Sequence, residues 1–544
     1  MASGGVMARR RVLPREVRLG TLLWLAGGSL FIVLRIAGLV SIPMGGVELH
    51  SISGAWQASL GVQDDRFVPT LFQAITALLF RGLDNEIWPR LLAVAAAATV
   101  PFALHRLRDT LSEPGALIAL LVLTFDAPGI LVTSTANLSA LDIPLALWLL
   151  VFLRQQTHAP MVVALLGFGL ATAGAIVLPL VLGVAAVRLA RQDYPSPVSL
   201  AYGGGGALAG IGAASLQFGL GWDGLRIPPV EAFAAGFQFS WSTNTVGELA
   251  LIYLVPLLLV GLAAAGWSTW RLVEGGHPEE LTTLGAFAIA VLWLFASLGE
   301  QDVVPLAAYG LFAALVIGQA APPIVTRILE ADWTWARFLV PVAIGALLIS
   351  LSFLMEWARD RSVGELHEQV AFWGMLLVAA GAVVSVLSSR ASSLAALVVP
   401  LPLLLAAHLT GVFGVAFGGP NEPMPSPISP VQAREVRDIA VTARDEFGGD
   451  IVVHPRYEQA ITWAFRESGE VIIASQVPFT AVAVVWPTEL PPPEGFSIVD
   501  GEWALLRERT GPEGGLLDYL RWYFNRNTLG VGSTPVSVYL KGGE

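Results

Sequence analysis

The chain has 544 residues, of which 55% are hydrophobic and only 13% charged, roughly half the charged share of an ordinary soluble domain. Its net charge of −11, with no basic stripe, gives no sign of nucleic-acid binding, and the lack of cysteine excludes disulfides, thiolate metal sites and thiol catalysis. Mean hydropathy is +0.67, and apolar runs of about 20 residues recur from Leu19 to Phe417, the mark of a polytopic membrane protein.

The chain opens on Arg9, Arg10, Arg11, Arg15 and Arg18 ahead of the first apolar run. That run is too long for a signal-peptide core and lacks a clear cleavage site, so it reads as an uncleaved anchor. Spans are expected near 20–42, 87–107, 114–133, 139–153, 160–173, 175–189, 197–219, 247–270, 282–298, 304–320, 336–354, 369–388 and 393–415. The fifth and sixth are short and meet near Ala173-Gly174; a single tilted helix is the competing reading. Arginine placement separates the two. With thirteen spans and a cytoplasmic N-terminus, fourteen arginines, the five N-terminal ones included, fall inside. Seven, Arg35 and Arg90 among them, fall outside before the tail. Fusing the short pair would spoil that asymmetry downstream, so the hairpin is preferred.

Two segments lie outside this scheme. The first outer loop, 43–86, carries Ile52, Ala55, Trp56, Ser59 and Leu60 at helical spacing, a pattern for a helix lying in the interface, and a second apolar piece at 68–80. After the last span comes a Pro-rich linker over 418–429, and residues 430–544 read as a small soluble α/β domain. Its expected elements are a helix over 431–447, strands at 451–454, 471–474, 481–486, 503–507 and 536–540, and an aromatic-rich helix over 516–526. Thirteen spans place this domain outside the cytoplasm. The expected fold is thus an α-helical polytopic membrane protein with an extracytoplasmic α/β domain at its C-terminus.

Acids at the mouths of membrane helices are costly to keep and are often functional. Glu48 and His50 sit where the first span ends. Glu48 reads either as a general base for an acceptor hydroxyl or as a solvated interfacial glutamate. Asp64-Asp65-Arg66 reads as a metal site or an acidic turn. Arg90, beside Trp88, can hold a lipid phosphate or anchor the interface. Asp142 opens the fourth span, where capping alone accounts for an acid. Trp241 and Asn244 can stack on and hydrogen-bond a sugar, or belong to an aromatic belt. Glu300 and Asp302 share a short loop with Gln301 and could bind a divalent cation, although two carboxylates are not a specific metal signature.

At these residues the chain resembles the GT-C superfamily of polytopic glycosyltransferases, in its protein mannosyltransferase and aminoarabinose transferase-like group. The likeness rests on an acidic turn directly after span one, on Trp88-Pro89-Arg90-Leu91-Leu92-Ala93 followed by a span ending in Leu104-His105-Arg106-Leu107-Arg108, on Asp142, and on the paired short helices. Within that group it is most similar to the flippase-activity-associated branch, whose loop motif matches Leu298-Gly299-Glu300-Gln301-Asp302-Val303-Val304-Pro305. The resemblance implies inverting transfer of a sugar from a polyprenyl-phosphate donor to a glycan, lipid or protein acceptor on the outer side. Glu48 would be the base, with His50, Arg66, Arg90, Asp142, Trp241, Asn244, Glu300 and Gln301 around the substrates. Four positions depart from the pattern. Val47 stands where the group has an aspartate, Gln301 where it has a lysine, and Asn137 and Ala140 where it has arginines. Each departure removes a charge, and the alternatives are a non-catalytic protein that binds lipid-linked glycan and, further off, a transporter.

Overall fold

The computed structural model describes residues 19–42, 46–61, 70–83, 85–154, 160–190, 196–217, 246–274, 280–298, 303–330, 345, 408–409, 411–417, 430–458, 461, 463–466, 468, 471–501, 503–509 and 531–541. Arg66, Trp241, Asn244, Glu300, Gln301 and Asp302 lie outside the described residues, as do the expected helix at 516–526 and nearly all of the last three expected spans.

The membrane part begins with α1 (Leu19–Ser41), α2 (Gly46–Ser59), α3 (Leu71–Phe80), α4 (Ile87–Ala97), α5 (Val100–Arg106) and α6 (Arg108–Leu111). It continues through α7 (Glu113–Thr124), α8 (Ala127–Ser134), α9 (Asp142–Arg154), α10 (Pro160–Thr172), α11 (Val177–Ala190) and α12 (Pro197–Gln217). After them come α13 (Val246–Tyr253), α14 (Val255–Val273), α15 (Glu280–Ala296) and α16 (Val304–Glu330). Among the described residues, four helices are long and apolar enough to cross a membrane alone: Gly20–Ser41, Ile87–Arg106, Val255–Val273 and Val304–Pro323.

Lipid and protein divide these helices by face. On α1, Leu22, Leu23, Leu25, Val33 and Ile36 are exposed while Phe31 and Leu34 are buried, as a helix with one side to hydrocarbon requires. On α16 the run Leu306–Val316 is buried throughout, so this helix forms the centre of the bundle. Its glycines let neighbours in. A β-carbon on Gly115 of α7 would collide with the Gly318 carbonyl oxygen of α16, so only a pair of glycines permits that crossing.

The expected third span, 114–133, is not one helix. α7 and α8 meet at a 71° bend around Phe125-Asp126. A bend inside a bundle exposes backbone groups that lipid cannot satisfy, and two side chains cover them. Arg35 donates to the carbonyls of Leu123 at 2.7 Å and Thr124 at 3.3 Å, and the His408 ring places Nε2 2.8 Å from the Phe125 carbonyl oxygen. Asp126 occupies the N-cap position of α8 without a side-chain cap hydrogen bond, its carboxylate beside Gly129 and Gly310. Arg35, counted on the outer side from sequence, is buried within α1, with its guanidinium 3.5 Å over the Phe31 ring.

The C-terminal domain consists of α17 (Pro430–Phe447) and a six-stranded sheet. Its strands are β1 (Asp450–Val453), β2 (Val471–Ile473), β3 (Ala481–Pro487), β4 (Phe496–Ile498), β5 (Trp503–Arg509) and β6 (Val531–Lys541). The order is β2-β1-β3-β6-β4, with β5 also on β6; β1 pairs in parallel with β2 and β3, and β6 is antiparallel to its partners. β3 is buried on both faces, which accounts for its continuous Ala481–Trp486 apolar run. β4 carries too little pattern to be read from sequence: three residues, mostly exposed, behind a triple proline.

Candidate functional site

The first turn of α2 and the first turn of α4 meet at one buried ion pair. Glu48 is 4% exposed and Arg90 6%. Arg90 Nε donates to Glu48 Oε1 at 2.6 Å and Nη2 to Oε2 at 2.7 Å, a bidentate fork. Nη1 donates to the carbonyls of Leu39 at 3.1 Å and Ile42 at 2.8 Å, which are orphan acceptors at the end of α1. The backbone N–H of Ala136, in the segment after α8, donates to Glu48 Oε1 at 2.8 Å. One pair of side chains thus joins the ends of α1 and α8 to the starts of α2 and α4.

The valence count of this node matters for its chemistry. A carboxylate offers about four lone-pair sites and a guanidinium five N–H donors. Among the described residues, three donors reach Glu48, two of them at Oε1, and Arg90 uses Nε, both Nη1 hydrogens and one on Nη2. Among the described residues, one acceptor site on Oε2 and one donor on Nη2, on adjacent atoms, are left without a partner. Such a pair can accept a hydroxyl proton and hold a phosphate oxygen at neighbouring points.

Asp142 makes a second node. Fully buried at the start of α9, it accepts from the backbone N–H of Gly174 on Oδ1 at 2.7 Å and of Ile176 on Oδ2 at 3.0 Å. Those amides lie in the turn between α10 and α11, so Asp142, from the first turn of its own helix, ties down the start of another. A β-carbon on Gly174 would come within 2.5 Å of both Asp142 Oδ2 and Ser139 Oγ, so the carboxylate can approach only because this residue is glycine. The linking segment, 134–142, is buried throughout except for a half-covered Leu138. Asn137 Oδ1 accepts from the Ser139 N–H at 2.9 Å and closes its turn.

Of the residues singled out from sequence, the structure therefore brings Glu48 and Arg90 into contact and sets Asp142 on a separate group of amides. His50, two residues past Glu48, is exposed. α2 itself is covered on nearly all sides from Glu48 to Ala58, so it does not lie open in the interface as its spacing suggests. Instead α3 and the C-terminal domain cover it. Trp56 packs edge-on against Phe80 of α3 and against Trp463, with centroids 5.5 and 6.1 Å apart. Sequence reasoning overlooked Asp126 and His408. A charge in the middle of an apolar run was the available signal for Asp126.

No family model matches the chain, and no curated protein matches it. Among solved structures, it is similar to ArnT from Cupriavidus metallidurans bound to undecaprenyl phosphate: TM-score 0.54, 13% identity, over 96% of this chain and 98% of that one. The apo state of the same ArnT gives a TM-score of 0.49 at 15% identity, over 84% of this chain and 86% of that one. At such identity the likeness is one of fold, and it extends over the C-terminal domain as well as the helices. The chain shares its overall fold with ArnT, and its long apolar helices are those of a membrane protein.

Proposed function

We propose that this chain transfers a sugar from a polyprenyl-phosphate donor to an acceptor hydroxyl on the extracytoplasmic side, with Glu48 as base. The observation that carries the reading is the adjacency of the spare acceptor site on Glu48 Oε2 and the spare donor on Arg90 Nη2. A fold like that of ArnT, a structure of which holds undecaprenyl phosphate, supports the donor class.

In this reading the acceptor hydroxyl gives its proton to Glu48 Oε2 as its oxygen bonds to the anomeric carbon. The bond from that carbon to the phosphate oxygen breaks, and its electron pair leaves with the polyprenyl phosphate. Attack opposite the leaving group inverts the anomeric centre. Arg90 has two roles: its bidentate fork holds Glu48 in orientation, and its spare N–H offsets charge on the departing phosphate. His50, Arg66, Trp241, Asn244, Glu300 and Gln301 are proposed to line the sugar and lipid-phosphate path. A divalent cation at Glu300 and Asp302 would share the phosphate charge. Asp142 is proposed to act at a distance from the reacting groups, by fixing the α10–α11 turn.

The test is Glu48→Gln in purified protein, given a radiolabelled polyprenyl-phosphate sugar, with unfolding followed in parallel. Removing a general base lowers the rate by about 10²–10⁴-fold; transfer at the wild-type rate by a folded Glu48→Gln protein overturns the assignment. One observation favours a second reading. Glu48 is nearly inaccessible and already holds three donors, as a structural ion pair would. A protein that binds lipid-linked glycan without turning it over would show binding of the labelled lipid and no transferred sugar.

A further inference from the structure

The C-terminal domain and the helix that carries Glu48 share one hydrophobic core. Leu49, Ile52, Ala55 and Trp56 of α2 and Phe72 and Phe80 of α3 belong to the same buried cluster as Val436, Tyr457 and Trp463 of the soluble domain. Against this cluster the half-buried Arg466 stacks on two tryptophans, its guanidinium carbon 3.9 Å from the Trp463 ring and 5.4 Å from that of Trp56. Phe80 completes the cluster, 5.6 Å from Trp463. Two polar ties reinforce it: Gln73 Nε2 of α3 donates to the Ser51 carbonyl of α2 at 2.9 Å, and Arg434 of α17 pairs with Glu86 just ahead of α4.

These contacts load α2 at both ends. Its first turn is held by the Glu48–Arg90 fork, and its last turns by the soluble domain. Trp56 lies eight residues after Glu48, about 12 Å along a rigid helix. A shift of the domain at Trp56 is therefore transmitted to the carboxylate, and a shift of the carboxylate to the domain.

We infer that Trp463 and Arg466 are positioning residues: the C-terminal domain latches α2, and its docking sets the placement of Glu48. The inference does not rest on the transfer reading, because its test needs no substrate. Hydrogen exchange is measured on the full chain in lipid nanodiscs for wild type, Arg466→Gln, Arg466→Lys and Trp463→Ala. A partly desolvated cation–π contact is strong enough that its loss raises opening-controlled exchange by roughly tenfold.

Arg466→Gln is expected to raise exchange over 49–53 as well as 54–59, while β1 and β3 stay protected. Arg466→Lys, which keeps the cation, restores much of the protection. A rise confined to 54–59 and the Trp463 segment overturns the inference, since the contact would then be local packing. So does unchanged exchange in α2. Should Trp463→Ala also loosen β1 and β3, Arg466→Gln with its lysine rescue decides. Cysteines at Glu86 and Arg434, in a chain with no cysteine of its own, bridged by a short bifunctional thiol cross-linker, add an independent arm. Bridging should slow exchange over 49–53, and unchanged exchange in the bridged protein counts against the latch.

Discussion

Replacing Glu48 by leucine while keeping Arg90 leaves a guanidinium with two donors and no anion in a site that is 6% exposed at the arginine. The lost bonds are those at 2.6 and 2.7 Å, and the Ala136 N–H loses its 2.8 Å acceptor. Stripping one partner from a buried ion pair costs about 3–5 kcal/mol, and an orphaned amide adds about 1–3 kcal/mol. Arg90→Met strands the carboxylate and uncovers the carbonyls of Leu39 and Ile42, for a loss of similar size. In the double variant Glu48→Leu/Arg90→Met no charge is left behind, and only the amide and the carbonyls remain unmet. The double variant should therefore be more stable than the sum of the singles by roughly 3 kcal/mol. Reversible unfolding in mixed detergent micelles, read by tryptophan fluorescence, gives the three differences. Additivity to within about 0.5 kcal/mol would refute the coupling, and with it the idea that this fork organises the helix mouth.

Other outcomes follow from the same geometry. Asp142→Asn turns one of two acceptor oxygens into a donor facing an N–H, so the variant should unfold at a markedly lower temperature in a thermal-shift scan. Gly174→Ala, which forces a β-carbon onto Asp142 and Ser139, should lower the melting temperature as well, and an unchanged value would argue against the close approach. Gly115→Ala drives a methyl group into the Gly318 carbonyl and should reduce folded yield in membranes, whereas Gly82→Ala, which meets nothing, should not. In the soluble domain, burial and then the charge of Arg456 lower the His454 pKa below its ordinary 6.5, and its Nδ1 accepts from the Arg456 N–H at 3.3 Å. The neutral ring is the form the fold prefers. Its contribution is therefore present above the unfolded value and is lost as pH falls below about 6.5. Histidine-labelled NMR, assigned by His454→Gln, should show titration below 6.5; a midpoint at or above that value contradicts the assignment.

The sequence by itself determined the class of this protein and much of its layout. Long apolar runs admit no soluble fold, and the period-3.6 and short β-branched patterns after the linker mark α17, β1, β2, β3 and the cores of β5 and β6, because burial there is local and repetitive. It also picked out Glu48, Arg90 and Asp142, since charges at apolar boundaries stand out against hydrocarbon. What those charges do was decided only in three dimensions. Glu48 and Arg90 are 42 positions apart, and no periodicity links them. The bend at Phe125-Asp126 depends on Arg35 and His408 arriving from distant helices to take its carbonyls, and the covering of α2 depends on Trp463 and Arg466, more than 400 residues away. Local patterns report which side of an element seeks a core. They carry no information on which partner provides it, because that choice rests on contacts the chain makes only once it has folded.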